Sequence, residues 1–77
     1  MKETIRSYIH EKILHGELGL SYETPLYSSG IMSSMAHIKL VNFLERKFRI
    51  TIPAAEINLE EFDTVDQIVR FLNARKN

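Results

Sequence analysis

Apolar residues recur at spacings of three and four over residues 3–15, where Ile5, Tyr8, Ile9 and Ile13 form one stripe with charged residues between them. That period predicts an amphipathic helix. Gly16 suits the left-handed turn that ends many helices and Gly19 opposes resumption, so the helix is expected to stop there. Residues 16–33 lose the period. They are rich in Gly, Ser and Pro, with Leu18, Leu20, Leu26 and Ile31 scattered among them, which describes a long loop that is either functional or packed down by its own side chains.

The helical period returns at Ser33 or Ser34 and runs to Phe48. Met35, Ile38, Val41, Leu44 and Phe48 share a face that Leu40 and Phe43 widen, and this most apolar helix is expected to be the central one. Pro53 is a breaker beyond it. Ile50 and Ile52 alternate with polar residues as a strand would, but a single strand has no partner here, so an extended connector is expected. A short helix is expected around "AEINLEEF". A last one comes at "DTVDQIVRFLNARK", opened by a capping box in which the Thr64 hydroxyl reaches the Gln67 amide and the Gln67 side chain returns to Thr64. Val65, Ile68, Val69 and Leu72 form its apolar stripe, and Arg70, Arg75 and Lys76 gather where the helix dipole favours positive charge. The expected fold is all-α: a single domain over residues 1–77, folded as a small four-helix bundle of three main helices and one short helix, with a long loop between helices 1 and 2.

Composition narrows the chemistry. A 77-residue chain buries only about 60% of its unfolded surface, which argues against a deep enclosed active site. It has no cysteine, hence no disulfide, no thiol nucleophile and no zinc knuckle, so any thiol chemistry has to arrive on a cofactor. The N-terminus is interrupted by charge every few residues and has no signal-peptide or membrane-spanning run, and a soluble cytoplasmic protein is expected. Net charge is zero but unevenly spread: −1 over residues 1–33, +3 over 34–55, −5 over 56–66 and +3 thereafter. Alternating sign suits protein docking better than nucleic-acid binding, which needs one coherent basic face.

The candidate chemistry centres on "GIMSSMAHIKL", where the long loop delivers two serines to the first turn of the second helix. Unpaired amides and the positive dipole end favour an anionic group there, while a serine in this place is also a common N-cap. The longer pattern distinguishes the two roles. Gly30, Ile31, Met32, Ser33, Ser34 and Met35, then Val41, Phe43, Leu44, Glu45 and Phe48, then Ile52 and Pro53, then Phe62, Asp63, Thr64 and Val65 reproduce an ordered series that resembles the acyl carrier protein family over about residues 25–72. The resemblance implies that Ser34 receives 4′-phosphopantetheine from coenzyme A through a phosphopantetheinyl transferase. It implies an arm whose thiol holds an acyl or aminoacyl group as a thioester, and a chain that catalyses nothing itself. The implied partners are that transferase, an acyl- or aminoacyl-activating ligase, and condensing or transfer enzymes of a specialised pathway of fatty-acid or polyketide type, serving a monomeric carrier.

Two departures from the family stand out. Ser33 occupies the place of an acidic residue: it keeps the capping oxygen and loses the charge, and a charge-assisted hydrogen bond to a transferase is worth about 1.5–3 kcal/mol. The second helix carries Lys39, Arg46, Lys47 and Arg49 against Glu45, where fatty-acid carriers are acidic, and the acidic run from Glu56 to Asp66 is a candidate compensating patch. Among weaker constellations, Ser34 and His37 stand three apart, but no orienting acid or oxyanion loop accompanies them, and His37 together with Met35 is assigned to the rim of the arm site. Met32 and Met35 suit either core packing or an adaptable groove. His10 and His15 are five apart, off the spacing for shared metal ligation, and no metal site is expected. The competing class is an unmodified carrier-like domain acting as an interaction scaffold; a nucleic-acid binder and a hydrolase rank below it.

Overall fold

The computed structural model describes residues 1–17 and 19–75. Leu18 and Lys76, which the sequence places in the long loop and at the basic end of the last helix, lie outside the described residues. Helix α1 covers Lys2–Tyr8 and continues as wider π-type turns over Ile9–Ile13, where the Leu14 amide donates to the Ile9 carbonyl and the Gly16 amide to that of His10. It ends on two consecutive left-handed residues, His15 (φ 56°) and Gly16 (φ 75°). The expected glycine stop is therefore present, preceded by a histidine that shares the turn.

The loop after it is held by its own side chains. Leu20, Leu26 and Met32 are buried, the Arg6 guanidinium donates to the Leu20 carbonyl (3.3 Å), and the Tyr22 hydroxyl donates to Glu3 Oε1 (2.7 Å). Glu3 also accepts from Arg6 and Ser7, and with the Arg6 contact leading, these bonds hold its carboxyl down at about 2.

Helix α2 spans Ser34–Phe48 and ends at Arg49, left-handed at φ 57°. Its buried line is Ala36, Leu40 and Leu44, not the Met35-led face expected from the period. Of that face only Leu44 is fully buried; Val41 and Phe48 are half-buried, while Met35 and Ile38 are 63% and 54% exposed. The apolar surface of α2 wraps most of the helix, and periodicity does not say which part of so broad a surface the other helices cover. The backbones of α1 and α3 (Val65–Arg75) approach each other most closely. Helix α2 meets this pair through longer side chains, among them Phe43, whose ring stacks on Tyr8 at 4.0 Å.

Between α2 and α3 the expected short helix is absent, and two 3₁₀ turns, Ala54–Glu56 and Leu59–Glu61, take its place. Ile57 and Asn58 adopt extended backbone between them, and the Asn58 side chain accepts from the Glu60 amide (3.0 Å), capping the second turn and so restarting the chain. The described residues thus form an all-helical fold of three α-helices with two short turns, and the fourth helix of the expected bundle is not formed. The extended connector before them is present: the Ile52 amide donates to Glu45 Oε2 (2.7 Å) ahead of Pro53.

Helix α3 opens on Thr64, whose hydroxyl accepts from the Gln67 amide (3.1 Å), as the capping box requires. The return contact differs from the expected one. Gln67 Oε1 accepts from the Asp63 amide (2.8 Å), one residue earlier than Thr64. Val65, Ile68 and Leu72 are buried with Ile5, Ile9, Leu40 and Phe62 in a common core, where each such side chain contributes about 1.5–3 kcal/mol.

Candidate functional site

Ser33 and Ser34 have separate positions. Ser33 is extended (φ −78°, ψ 173°) and is the N-cap of α2: its Oγ accepts from the Ala36 amide (3.1 Å) and its carbonyl accepts from the His37 amide (2.9 Å). Ser34 is the first helical residue, exposed, with no side-chain hydrogen bond among the described residues. Its own amide and that of Met35 have no helical acceptor, since the first turn of a helix has none to offer. The hydroxyl therefore stands in a field that favours negative charge, at the positive end of a 15-residue helix.

Ser34 also borders a recess of about 360 Å³ lined by Ser33, Met32, Tyr27, His37, Ile38 and Leu59. A second recess of about 160 Å³ shares His37 and Ile38 and continues over Val41, Ile52 and Ile57. His37 thus borders the same recess as Ser34. Met32 is buried in the core, whereas Met35 is open to solvent beside Ser34, so the two methionines do not act as a pair.

His37 is oriented away from catalysis. Its Nδ1 lies 2.6 Å from the Tyr27 hydroxyl. Burial lowers the histidine's proton affinity, and burial, with the nearby Asp63 charge, raises the Tyr27 pKa well above the usual phenol value. Both directions agree that the tyrosine donates to a neutral imidazole. No Ser34–His37 hydrogen bond occurs among the described residues, and no group of three or more potential metal ligands is found among them.

Tyr27 is held in turn by Asp63, which the sequence shows as a member of the family-like series and of the acidic run but without a partner. Asp63 Oδ1 accepts from the amides of Leu26 (3.1 Å), Tyr27 (2.5 Å) and Ser28 (3.1 Å), and Oδ2 accepts from the Ser28 hydroxyl (2.6 Å). Partial burial pushes this carboxyl up, but the Ser28 hydroxyl and the three amides outweigh it and leave the group below its ordinary value. One carboxylate thereby fixes the loop that delivers the serines to the start of α3. No local signal could reveal it, because its partners lie 35 to 37 residues away.

The acidic run is largely occupied. Glu56 pairs with Arg75, Asp66 with Lys2 (3.5 Å), and Asp63 with the loop, so the expected compensating patch shrinks to Glu60 and Glu61.

The role of Ser33 has a direct consequence. Ser33→Ala removes the cap and is expected to cost about 1 kcal/mol, while Ser33→Asp keeps a capping oxygen and adds charge at the dipole end, gaining about 0.5 kcal/mol. Urea unfolding of both variants reads this directly, and an unchanged Ser33→Ala midpoint would contradict the cap.

An exposed serine at the head of a long helix, presented by a clamped loop in a small all-helical fold, defines a carrier-type domain. The chain matches the family described as "Phosphopantetheine attachment site" over residues 3–72 and belongs to it. It is 30% identical over 69 residues to the D-alanyl carrier protein of Streptococcus suis (strain 05ZYH33), covering 90% of this chain and 86% of that protein. It is 28% identical over 75 residues to the D-alanyl carrier protein of Listeria monocytogenes serovar 1/2a, covering 97% and 96%. A chain in a solved structure described as "Crystal structure of FAD-dependent dehydrogenase" superposes with a TM-score of 0.81 at 29% identity, over 88% of this chain and 97% of that one. The protein is accordingly a carrier and not an enzyme, and its cofactor is covalently attached 4′-phosphopantetheine. No helix among the described residues is long and apolar enough to cross a membrane.

Proposed function

We propose that this chain is an aminoacyl carrier bearing 4′-phosphopantetheine on Ser34. The observation that carries the reading is the placement of Ser34: an exposed, uncommitted hydroxyl on the first turn of α2, within the matched family region, with Ser33 already serving as the cap. The residues fit the group. Two unpaired amides and the helix dipole suit a phosphodiester, and the apolar side of the recess, from Met32, Ile38 and Leu59, suits the pantetheine chain beyond it. When bound, the arm supplies the thiol that this cysteine-free chain lacks, and holds cargo as a thioester. The protein's residues fix the root of the arm: Ser33 caps the helix, Asp63 immobilises the loop, and Tyr27 holds His37 at the rim.

An amino acid is favoured as cargo over the fatty-acid or polyketide type because the two relatives are D-alanyl carrier proteins. The partners are then a phosphopantetheinyl transferase, an ATP-dependent amino-acid ligase and a transfer enzyme. A second reading draws on the similar chain in the FAD-dependent dehydrogenase structure: a flavin-dependent dehydrogenase is a candidate partner that oxidises the carried group. This chain has three glycines and no dinucleotide-binding fingerprint, so the flavin would belong to the partner.

Intact-mass measurement after incubation with coenzyme A and a broad-specificity transferase tests the arm. A loading panel of amino acids and fatty acids with activating ligases then tests the cargo. Arm attachment followed by aminoacyl loading is expected. A chain that gains no arm is a scaffold, and one that loads only long acyl groups overturns the aminoacyl reading.

A further inference from the structure

Ser34 and His37 share one turn of α2 and line the same recess. Residues three apart on a helix have Cβ atoms about 5–6 Å apart, and helical side chains lean toward the N-terminus, so the imidazole leans over the turn that Ser34 begins. Its orientation is fixed from the other side. The Asp63 carboxylate accepts from the Tyr27 amide (2.5 Å), the Tyr27 hydroxyl donates to His37 Nδ1 (2.6 Å), and the imidazole stands T-shaped against Phe62 with 6.2 Å between centroids.

That chain of contacts also fixes where the imidazole proton sits. The Tyr27 hydroxyl has no other partner among the described residues, and a neutral imidazole that accepts at Nδ1 carries its proton on Nε2. Nε2 has no hydrogen-bond partner among the described residues and is not enclosed by them. The outcome is an oriented N–H donor, open to solvent, one turn from the Ser34 hydroxyl. Packing alone does not explain it, because an apolar ring would fill the space beside Phe62 without a hydroxyl on residue 27 to orient it. Neither recess that His37 borders is lined by a charged side chain. The carboxylates of Asp63 and Glu60 share a neighbouring recess with Tyr27, and Lys39 lies two residues on, off the Ser34–His37 side of the helix.

We propose that His37 is a positioning residue for the root of the arm, its Nε2–H donating to a phosphodiester oxygen on Ser34 while Tyr27 sets the tautomer. The inference rests on the carrier reading for the phosphodiester itself. The first-turn amides give that anion one anchor, and a donor from one turn further on gives it a second. Two anchors restrict rotation about the Cα–Cβ and Cβ–Oγ bonds of Ser34 and so limit the directions in which the arm leaves the helix.

NMR of the apo chain and of the arm-bearing chain, the latter verified by intact mass, tests the proposal. In the apo chain at about pH 8, long-range imidazole nitrogen spectra should show His37 as the Nε2–H tautomer, and Tyr27→Phe should lose that preference. On attachment the midpoint of the His37 titration should rise by about 0.5 pH, the effect of one negative charge about 6 Å away in water. Three-bond couplings from phosphorus to the Ser34 β-protons should show one dominant rotamer. His37→Phe, which keeps a ring beside Phe62, should lower the ratio of that rotamer to the others about fivefold, the worth of one hydrogen bond, and His37→Gln, which offers an N–H at similar reach, should restore most of it. Circular dichroism establishes that the variants are folded, and the tautomer and the midpoint are read on the unaltered chain. A neutral His37 protonated on Nδ1, an unmoved midpoint, or couplings indifferent to His37→Phe would each overturn the proposal. A chain that gains no mass overturns the carrier reading and this one with it, whereas a mass gain with couplings independent of His37 overturns this one alone.

Discussion

Ser34→Ala is expected to gain no mass from coenzyme A and transferase under conditions that convert the wild-type chain completely. The effect is all or none because the variant lacks the oxygen to which the phosphorus would bond. It is also clean. The Ser34 side chain is exposed and makes no hydrogen bond among the described residues, so its removal should change stability by no more than about 0.5 kcal/mol, and the melting temperature by a few degrees at most. Ser33→Ala is the complementary control: it loses the cap and about 1 kcal/mol, yet keeps the mass gain. Ser33→Asp should raise the rate of attachment about tenfold if the transferase reads a charge at that position. An adduct retained by Ser34→Ala would move the site elsewhere.

Asp63→Ala has the largest expected effect on the fold. It removes the acceptor of three loop amides and one hydroxyl, leaving the Tyr27 and Ser28 amides without their partner at the edge of the core. Charge-assisted bonds of this kind and the cost of stranding their donors suggest a loss of about 2–3 kcal/mol, or about 10–20 °C in a domain of this size. Asp63→Asn keeps one acceptor oxygen and should lose about half as much. Thermal unfolding followed by circular dichroism decides it, and a change under about 0.5 kcal/mol would contradict the clamp.

The same carboxylate sets an acid limit. Its folded pKa lies below the ordinary value, so in acid the unfolded chain binds more protons; the stabilisation is complete above about pH 4 and is lost as pH falls through the folded value. Glu3, held at about 2, acts in the same sense. His37 adds a loss that begins earlier, below about pH 6.5, since burial makes its folded form resist the proton that the unfolded form accepts. Asp63→Ala should therefore reduce the acid limb below about pH 4 to the part that Glu3 contributes and leave the His37 loss in place.

These effects also separate the features legible in the chain from those that are not. The three long helices, the Gly16 stop and the Thr64 cap are readable because each rests on contacts within a turn or two. So is the Ser33 cap, whose oxygen and the amide it accepts from are three residues apart. The short helix is misread where Asn58 restarts the chain, since helical composition there competes with a local cap. The buried side of α2 is misread because its apolar surface is broader than the core it meets.

The sequence by itself determined the helical periods, the absence of a thiol, and the ordered series of residues that marks a phosphopantetheine carrier; these depend on residue type and local spacing alone. Only the tertiary structure decided that Asp63 ties the serine loop to α3, that Tyr27 holds His37, and that Met35 and Ile38 stay open to solvent beside Ser34. The physical reason is the same in each case: which side chain meets a partner distant in the chain, and which is left in water, depends on how the helices pack.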